Sequence, residues 1–182
     1  FVISPATMKH MRNKLLFAAM LLCILPAAAD NGQLYTTDKL SSGLVTSLCQ
    51  DRYGFIWVGT EYGLNKFDGY RYTTYFFQRN DSTSLPDNEV AILFTDRQGQ
   101  LWVGCSKGLA RYNYERDAFE RFRFPDDRRP RINSFVERKD GTLLIGTAGY
   151  GLYSIAPDRQ YIHYEEAFNK RHQDAFYSRM HQ

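Results

Sequence analysis

Three stretches of this chain are close copies of one another. Asp51 to Tyr75 reads DRYGFIWVGTEYGLNKFDGYRYTTY, the run from Asp96 reads DRQGQLWVGCSKGLARYNYERDAFERF, and the run from Arg138 reads RKDGTLLIGTAGYGLYSIAPDRQYIHY. Gly54, Gly99 and Gly141 align at intervals of 45 and 42 residues; Trp57, Trp102 and Leu144 follow three places on, then Gly59, Gly104 and Gly146. A further glycine, Gly63, Gly108 or Gly151, precedes a leucine in each copy, one place later in the third, where the turn GTAGYG carries an insertion. A period of about 45 residues marks a supersecondary unit that cannot bury its own faces, so the copies must stack on one another.

Within one copy the local signals are those of strands. The apolar runs LVTSLCQ and EVAILFT end at D-x-x-G, where aspartate bonds its own backbone and glycine supplies positive φ, which spells a tight reversal into FIWVGT or QLWVGC. A glycine-flanked turn leads on to GLNKF, and Asp68-Gly69 is a hairpin signal into the alternating strand YRYTTYFF. The aromatic fraction, 15% with thirteen Tyr and thirteen Phe, suits such half-buried pleated surfaces. The fold class expected is all-β, built from β-propeller blades that are four-stranded antiparallel meanders. Three blades are expected at about 44–80, 89–125 and 132–165, with the first strand of a fourth at 175–182, so that the propeller is incomplete. The framework residues are Asp51, Gly54, Trp57, Gly59 and Gly63 in the first copy, Asp96, Gly99, Trp102, Gly104 and Gly108 in the second, and Gly141, Gly146 and Gly151 in the third. A tryptophan repeated at one place in successive blades reads as packing between them rather than as a sugar platform.

The N-terminus follows another logic. Residues 1–7 read as upstream translation; from Met8 a basic cluster (Lys9, Arg12, Lys14) precedes the apolar run Leu15 to Leu25, then Pro26 and the small residues Ala27 and Ala29. This is the layout of a secretory signal peptide over 8–29, leaving 30–182 as an exported partial β-propeller domain. Cleavage would leave Cys49 and Cys105, which occupy unlike positions in neighbouring copies and read as small buried hydrophobes. No histidine or cysteine spacing suits a metal, no cofactor motif occurs, and a net charge of +3 with scattered signs argues against nucleic acid.

DRYGFIWVGTEYGLNKFDG and DRQGQLWVGCSKGLARYN resemble the repeats named two-component regulator propellers, whose pattern is D-x-x-G-x-[LI]-W-[VI]-G-T-x-x-G-[LI]. The lead-ins LSSGLVTSLCQ and SLPDNEVAILF are similar to that family's blade openings, and Leu144 in place of tryptophan is a departure. The resemblance implies the periplasmic input region of a hybrid two-component receptor: propellers outside the inner membrane, one transmembrane helix, then a histidine kinase in a membrane-anchored homodimer. It also implies oligosaccharides from a glycan as ligands and control of polysaccharide-use genes as output. On that reading the chain is an N-terminal, non-catalytic fragment of the receptor.

Alternate loops of a meander share a face, so the second-to-third strand loops should lie with the connectors between blades. They hold Glu61 and Tyr62, Ser106 and Lys107, and Ala148 to Tyr150, while the first connector runs from Gln78 to Asn88. These segments vary while the framework repeats, which is how function is grafted onto a scaffold. Tyr62 and Tyr150 are candidates to stack on a sugar, and Glu61, Ser106 and Lys107 to bond its hydroxyls. Two other readings stay open: a protein-interaction scaffold, and a propeller lyase or hydrolase using carboxylates such as Glu61 or Asp87.

Overall fold

The computed structural model describes residues 39–171; residues 1–7, the signal peptide read at 8–29 and the strand read at 175–182 lie outside them. The first four strands are β1 (Val45–Gln50), β2 (Ile56–Thr60), β3 (Gly63–Phe67) and β4 (Tyr72–Tyr75), hydrogen-bonded in that order into one antiparallel sheet. A second sheet follows with β5 (Val90–Thr95), β6 (Leu101–Cys105), β7 (Gly108–Asn113) and β8 (Ala118–Phe122). The third contains β9 (Ile132–Glu137), β10 (Leu143–Thr147), β11 (Gly151–Ile155) and β12 (Ile162–Tyr164). Each sheet is a blade. A 3-10 turn at Pro125–Asp127 and a helical stretch at 166–171 are the departures from strand. The fold is therefore all-β, a set of propeller blades that does not close a ring among the described residues.

The aspartate of each D-x-x-G does more than turn the chain. In blade 1 the amides of Tyr53 and Phe55 donate to Asp51 Oδ1 at 2.9 and 3.1 Å, and the Trp57 indole Nε1 donates to Oδ2 at 2.7 Å. In blade 2 the amides of Gln98 and Gln100 donate to Asp96 Oδ1 at 3.0 and 2.9 Å, and Trp102 Nε1 donates to Oδ2 at 2.9 Å. A buried indole needs an acceptor, and a buried carboxylate needs donors. The two residues six places apart therefore satisfy each other. Blade 3 lacks both at once: Arg138 stands for the aspartate and Leu144 for the tryptophan, and its turn is closed by Gly141 N donating to Arg138 O at 3.0 Å. Gly99 has a double reason to be glycine, since its φ is +74° and a Cβ there would come within 2.7 Å of Arg52 Cδ from the turn of blade 1.

The core lies between blades. Trp57, Leu64, Val90, Leu93, Val103 and Tyr112 pack in one cluster between blades 1 and 2. Trp102, Leu109, Ile132, Leu143, Ile145 and Ile155 pack in another between blades 2 and 3. Equivalent positions show how burial depends on a neighbour. Leu93 faces blade 1 and is 6% exposed; its counterpart Leu48, on the face of blade 1 turned away from blade 2, is 63% exposed. Val136 is likewise exposed on the far face of blade 3, whereas its counterpart Phe94 stacks on Phe135 of the next blade. Cys49 and Cys105 are free; burial pushes their thiols up to about 11 and about 12, so neither is a nucleophile near neutral pH. No helix among the described residues is long and apolar enough to cross a membrane.

Candidate functional site

The two edges of the blades differ in chemistry. On the edge that carries the D-x-x-G turns, charge is buried and paired between blades. Arg159, from the loop between β11 and β12, places Nη2 3.2 Å from Asp96 Oδ2 of blade 2 and 3.0 Å from Glu137 Oε1 of its own blade. All three side chains are almost wholly buried. The guanidinium carbon also lies 5.8 Å from the centroid of the Trp102 ring, over its face. Arg159 holds a left-handed backbone, φ +59°, which is unfavourable for a residue with a Cβ and is offset by this pairing.

At the junction of blades 1 and 2 the corresponding loop supplies Asp117, also left-handed at φ +49°. It accepts the hydroxyl protons of Tyr75, at 2.5 Å, and of Tyr112. Burial pushes the Asp117 carboxyl up, but the two hydroxyls and the charge of Lys66 outweigh it and hold the group below the ordinary aspartate value. Burial, with the Asp117 bond, pushes both tyrosines well above the ordinary phenol range. A lowered folded-state pKa means that Asp117 contributes stability above its unfolded value of 3.8, and that this is lost as pH falls through the folded value. Asp117→Asn should therefore lower the unfolding midpoint at pH 7 and much less at about pH 2. A deficit of equal size at both pH values would argue against this coupling.

The opposite edge carries the variable segments. The amides of Glu61, Ser106 and Ala148 donate to the carbonyls of Leu44, Glu89 and Arg131, so each second-to-third strand loop is tied to the chain entering its blade. Ser106 and Lys107 are held by the connectors: Ser106 Oγ accepts from Arg131 Nη1 at 2.6 Å, and Lys107 Nζ lies 3.1 Å from Asp87 Oδ2. Arg131 also pairs with Glu89, whose carboxyl is held below its usual range by bonds from Ser106 and Arg131. Tyr150 is exposed, with the Arg128 guanidinium 5.4 Å from its ring centroid. Glu61 is exposed, and Tyr62 packs beside Phe76, with ring centroids 5.5 Å apart.

A cleft of about 810 Å³ opens on this edge at blade 2, between the connector around Ser82–Pro86, the Lys107–Leu109 turn, strand β8 and the loop 123–129. Lys107 lines it, and so does Arg128, the neighbour of Tyr150; Glu61, Tyr62 and Ser106 do not. The arginines of the wall, Arg121, Arg123, Arg128 and Arg129, were not singled out in the sequence. The run RFRFPDDRRPR from Arg121 to Arg131 was the signal that could have found them. Asp87 and Glu61, the carboxylates weighed for a lyase, do not meet as a pair: Asp87 bonds Lys107 and the Glu89 amide, and Glu61 belongs to blade 1. Among the described residues no group of His, Cys, Asp and Glu could hold a metal.

Comparison with known proteins places this arrangement. The family description "Two component regulator propeller" matches residues 39–62 and 84–107, the opening strands of blades 1 and 2. Histidine kinase P4 of Formosa agariphila is 48% identical over 48 residues, which are 26% of this chain and 4% of the kinase. The extracellular domain of a hybrid two-component system from B. thetaiotaomicron is 24% identical with a TM-score of 0.58, over 66% of this chain and 16% of that one. Virginiamycin B lyase of Staphylococcus aureus is 14% identical with a TM-score of 0.49, over 65% of this chain and 39% of the lyase. The chain thus spans a small part of each, and the likeness to the extracellular domain bears on the fold.

Proposed function

Because blades 1 and 2 carry the two-component regulator propeller repeat, at residues 39–62 and 84–107, we propose that the chain is the ligand-sensing propeller of a hybrid two-component receptor. It stands on the periplasmic side of the inner membrane and recognises oligosaccharides released from a glycan, controlling transcription of polysaccharide-use genes. The observation that carries this reading is the repeat itself, in a segment whose relative is a histidine kinase. The division of the blades agrees with it: a hydrogen-bonded frame on the turn edge, and exposed, non-repeating side chains on the connector edge. A sensor of this design needs no catalytic residue, only a rigid frame that presents loops to a ligand and passes on the change when one binds.

Titration calorimetry of the full chain with neutral and acidic oligosaccharides tests the proposal. Heat of binding is expected with at least one of them, and weaker binding after Glu61→Ala, Tyr62→Ala and Lys107→Ala together. Silence with every sugar, or product formation from one, would overturn it in favour of a scaffold or a lyase respectively.

A further inference from the structure

We propose that the cleft on blade 2 takes an acidic oligosaccharide, one bearing carboxylate or sulfate groups, with Arg123 and Arg129 as the groups that select it. The inference rests on the oligosaccharide reading above and narrows its ligand class.

The argument begins with which charges in the cleft are already used. Lys107 is paired with Asp87 at 3.1 Å. Glu120 is turned towards blade 2 itself, accepting Arg111 Nε and Nη2 at 3.0 and 2.5 Å and Asn113 Nδ2 at 3.0 Å. Arg121 is spent on the connector wall: it donates to the carbonyls of Ser84 and Asp81 at 2.8 and 2.7 Å and to Ser84 Oγ at 2.6 Å. Those acceptors are neutral, so the wall is shaped by Arg121 and keeps its positive charge. Arg123 and Arg129 are exposed and make no ion pair with a described residue. Four arginines and Lys107 thus line a cleft that also holds the carboxylates Glu120 and Asp127, an excess of positive charge, and Arg123 and Arg129 have their forks to offer.

Guanidinium groups are suited to this task. The planar fork grips a carboxylate or sulfate through two parallel N–H bonds, and it does so with less loss of hydration than an ammonium. A concave wall with an excess of positive charge concentrates anions at its mouth. The rest of the cleft supplies apolar surface from the half-buried Pro86 and Phe122, against which the C–H faces of a pyranose can lie. At about 810 Å³ the cleft is of ligand size. Arg123 also lines a second groove, of about 500 Å³, with Arg111, Arg159 and Tyr161, so a chain of several sugars could continue from one to the other across the end of β8.

The test uses the full chain and four probes: a tetragalacturonate, a sulfated tetrasaccharide, a neutral tetrasaccharide of equal length, and inorganic sulfate. Calorimetry at low and at high salt is run on the wild type and on Arg123→Glu/Arg129→Glu, with Arg123→Gln/Arg129→Gln in reserve should charge reversal unfold the protein. The acidic sugar is expected to bind about tenfold more tightly than the neutral one, to weaken with salt, and to lose about that factor in the double variant. Equal affinity for neutral and acidic sugars would overturn the acidic class and leave the oligosaccharide reading standing. Failure of every sugar to bind would overturn both. Acidic binding undiminished in the double variant would overturn this cleft as the site, and sulfate binding as tightly as the sugars would overturn the sugar specificity.

Discussion

Asp96→Ala is expected to destabilise the protein by about 3–5 kcal/mol. The substitution removes the acceptor of the buried Trp102 indole and of two turn amides. It also leaves Arg159 buried with Glu137 as its remaining anion, while Arg159 Nε and Nη1 already have no oxygen partner. A buried cation stripped of a counter-charge is far more costly than a lost neutral bond. Asp51 provides the control, since it makes the same three bonds in blade 1 without an arginine. Asp51→Ala should cost about 2–3 kcal/mol, and the difference between the two isolates the ionic contribution across the junction of blades 2 and 3. Urea unfolding at pH 7 measures both. Equal losses would mean that Arg159 contributes nothing through Asp96.

Gly104→Ala should cost about 2–3 kcal/mol, although one methyl is a small addition. A Cβ at Gly104 would stand 2.7 Å from Ile132 Cβ and 2.8 Å from both Ile132 Cγ2 and Ile92 Cγ2. Ile132 belongs to β9, the first strand of the next blade, and a β-branched side chain cannot rotate its own Cβ away. The strand must move, and with it the junction. The aligned glycines grade the effect. At Gly59 the obstacle is Val90 Cγ1 at 2.8 Å with Thr46 Oγ1 at 3.2 Å, partly movable atoms. At Gly146 the near atom is the Ser134 hydroxyl at 2.3 Å, which a rotamer change relieves. The expected order of destabilisation is Gly104→Ala, then Gly59→Ala, then Gly146→Ala at no more than about 1 kcal/mol. If Gly146→Ala matched Gly104→Ala, the requirement would be local to the strand rather than set by the neighbouring blade.

Much of this architecture was readable because the repeat removes ambiguity from local signals. A single D-x-x-G followed by an aromatic run is compatible with many hairpins; the same pattern spaced 45 and 42 residues apart is compatible with few folds. Strand order within a blade followed from short turns alone. The site was less legible. Tyr62, Tyr150 and Lys107 were singled out because they vary between copies, and they do lie with the connectors. The arginines of the cleft escaped notice because RFRFPDDRRPR, read as a line, alternates with phenylalanines and aspartates and looks like a solvated surface. Its charges separate only when β8 ends and the 3-10 turn at Pro125–Asp127 bends the loop across the blade.

By itself, the sequence determined the unit of structure: its strands, its turns, and the need for copies to stack, because hydrogen bonding and periodicity act over a few residues. Tertiary structure decided the partners. The two copies that keep aspartate keep tryptophan and the third keeps neither, a pattern visible in the letters, yet only the fold reveals the reason: a 2.7 Å bond from Trp57 Nε1 to Asp51, and a 2.9 Å bond from Trp102 Nε1 to Asp96. Arg159 reaches Asp96 across 63 residues of chain, and no spacing rule anticipates a buried ion pair between blades. Equivalent leucines at 48 and 93 differ from exposed to buried for the same reason. Burial is a property of what stands opposite a side chain, and that is settled only when the blades meet.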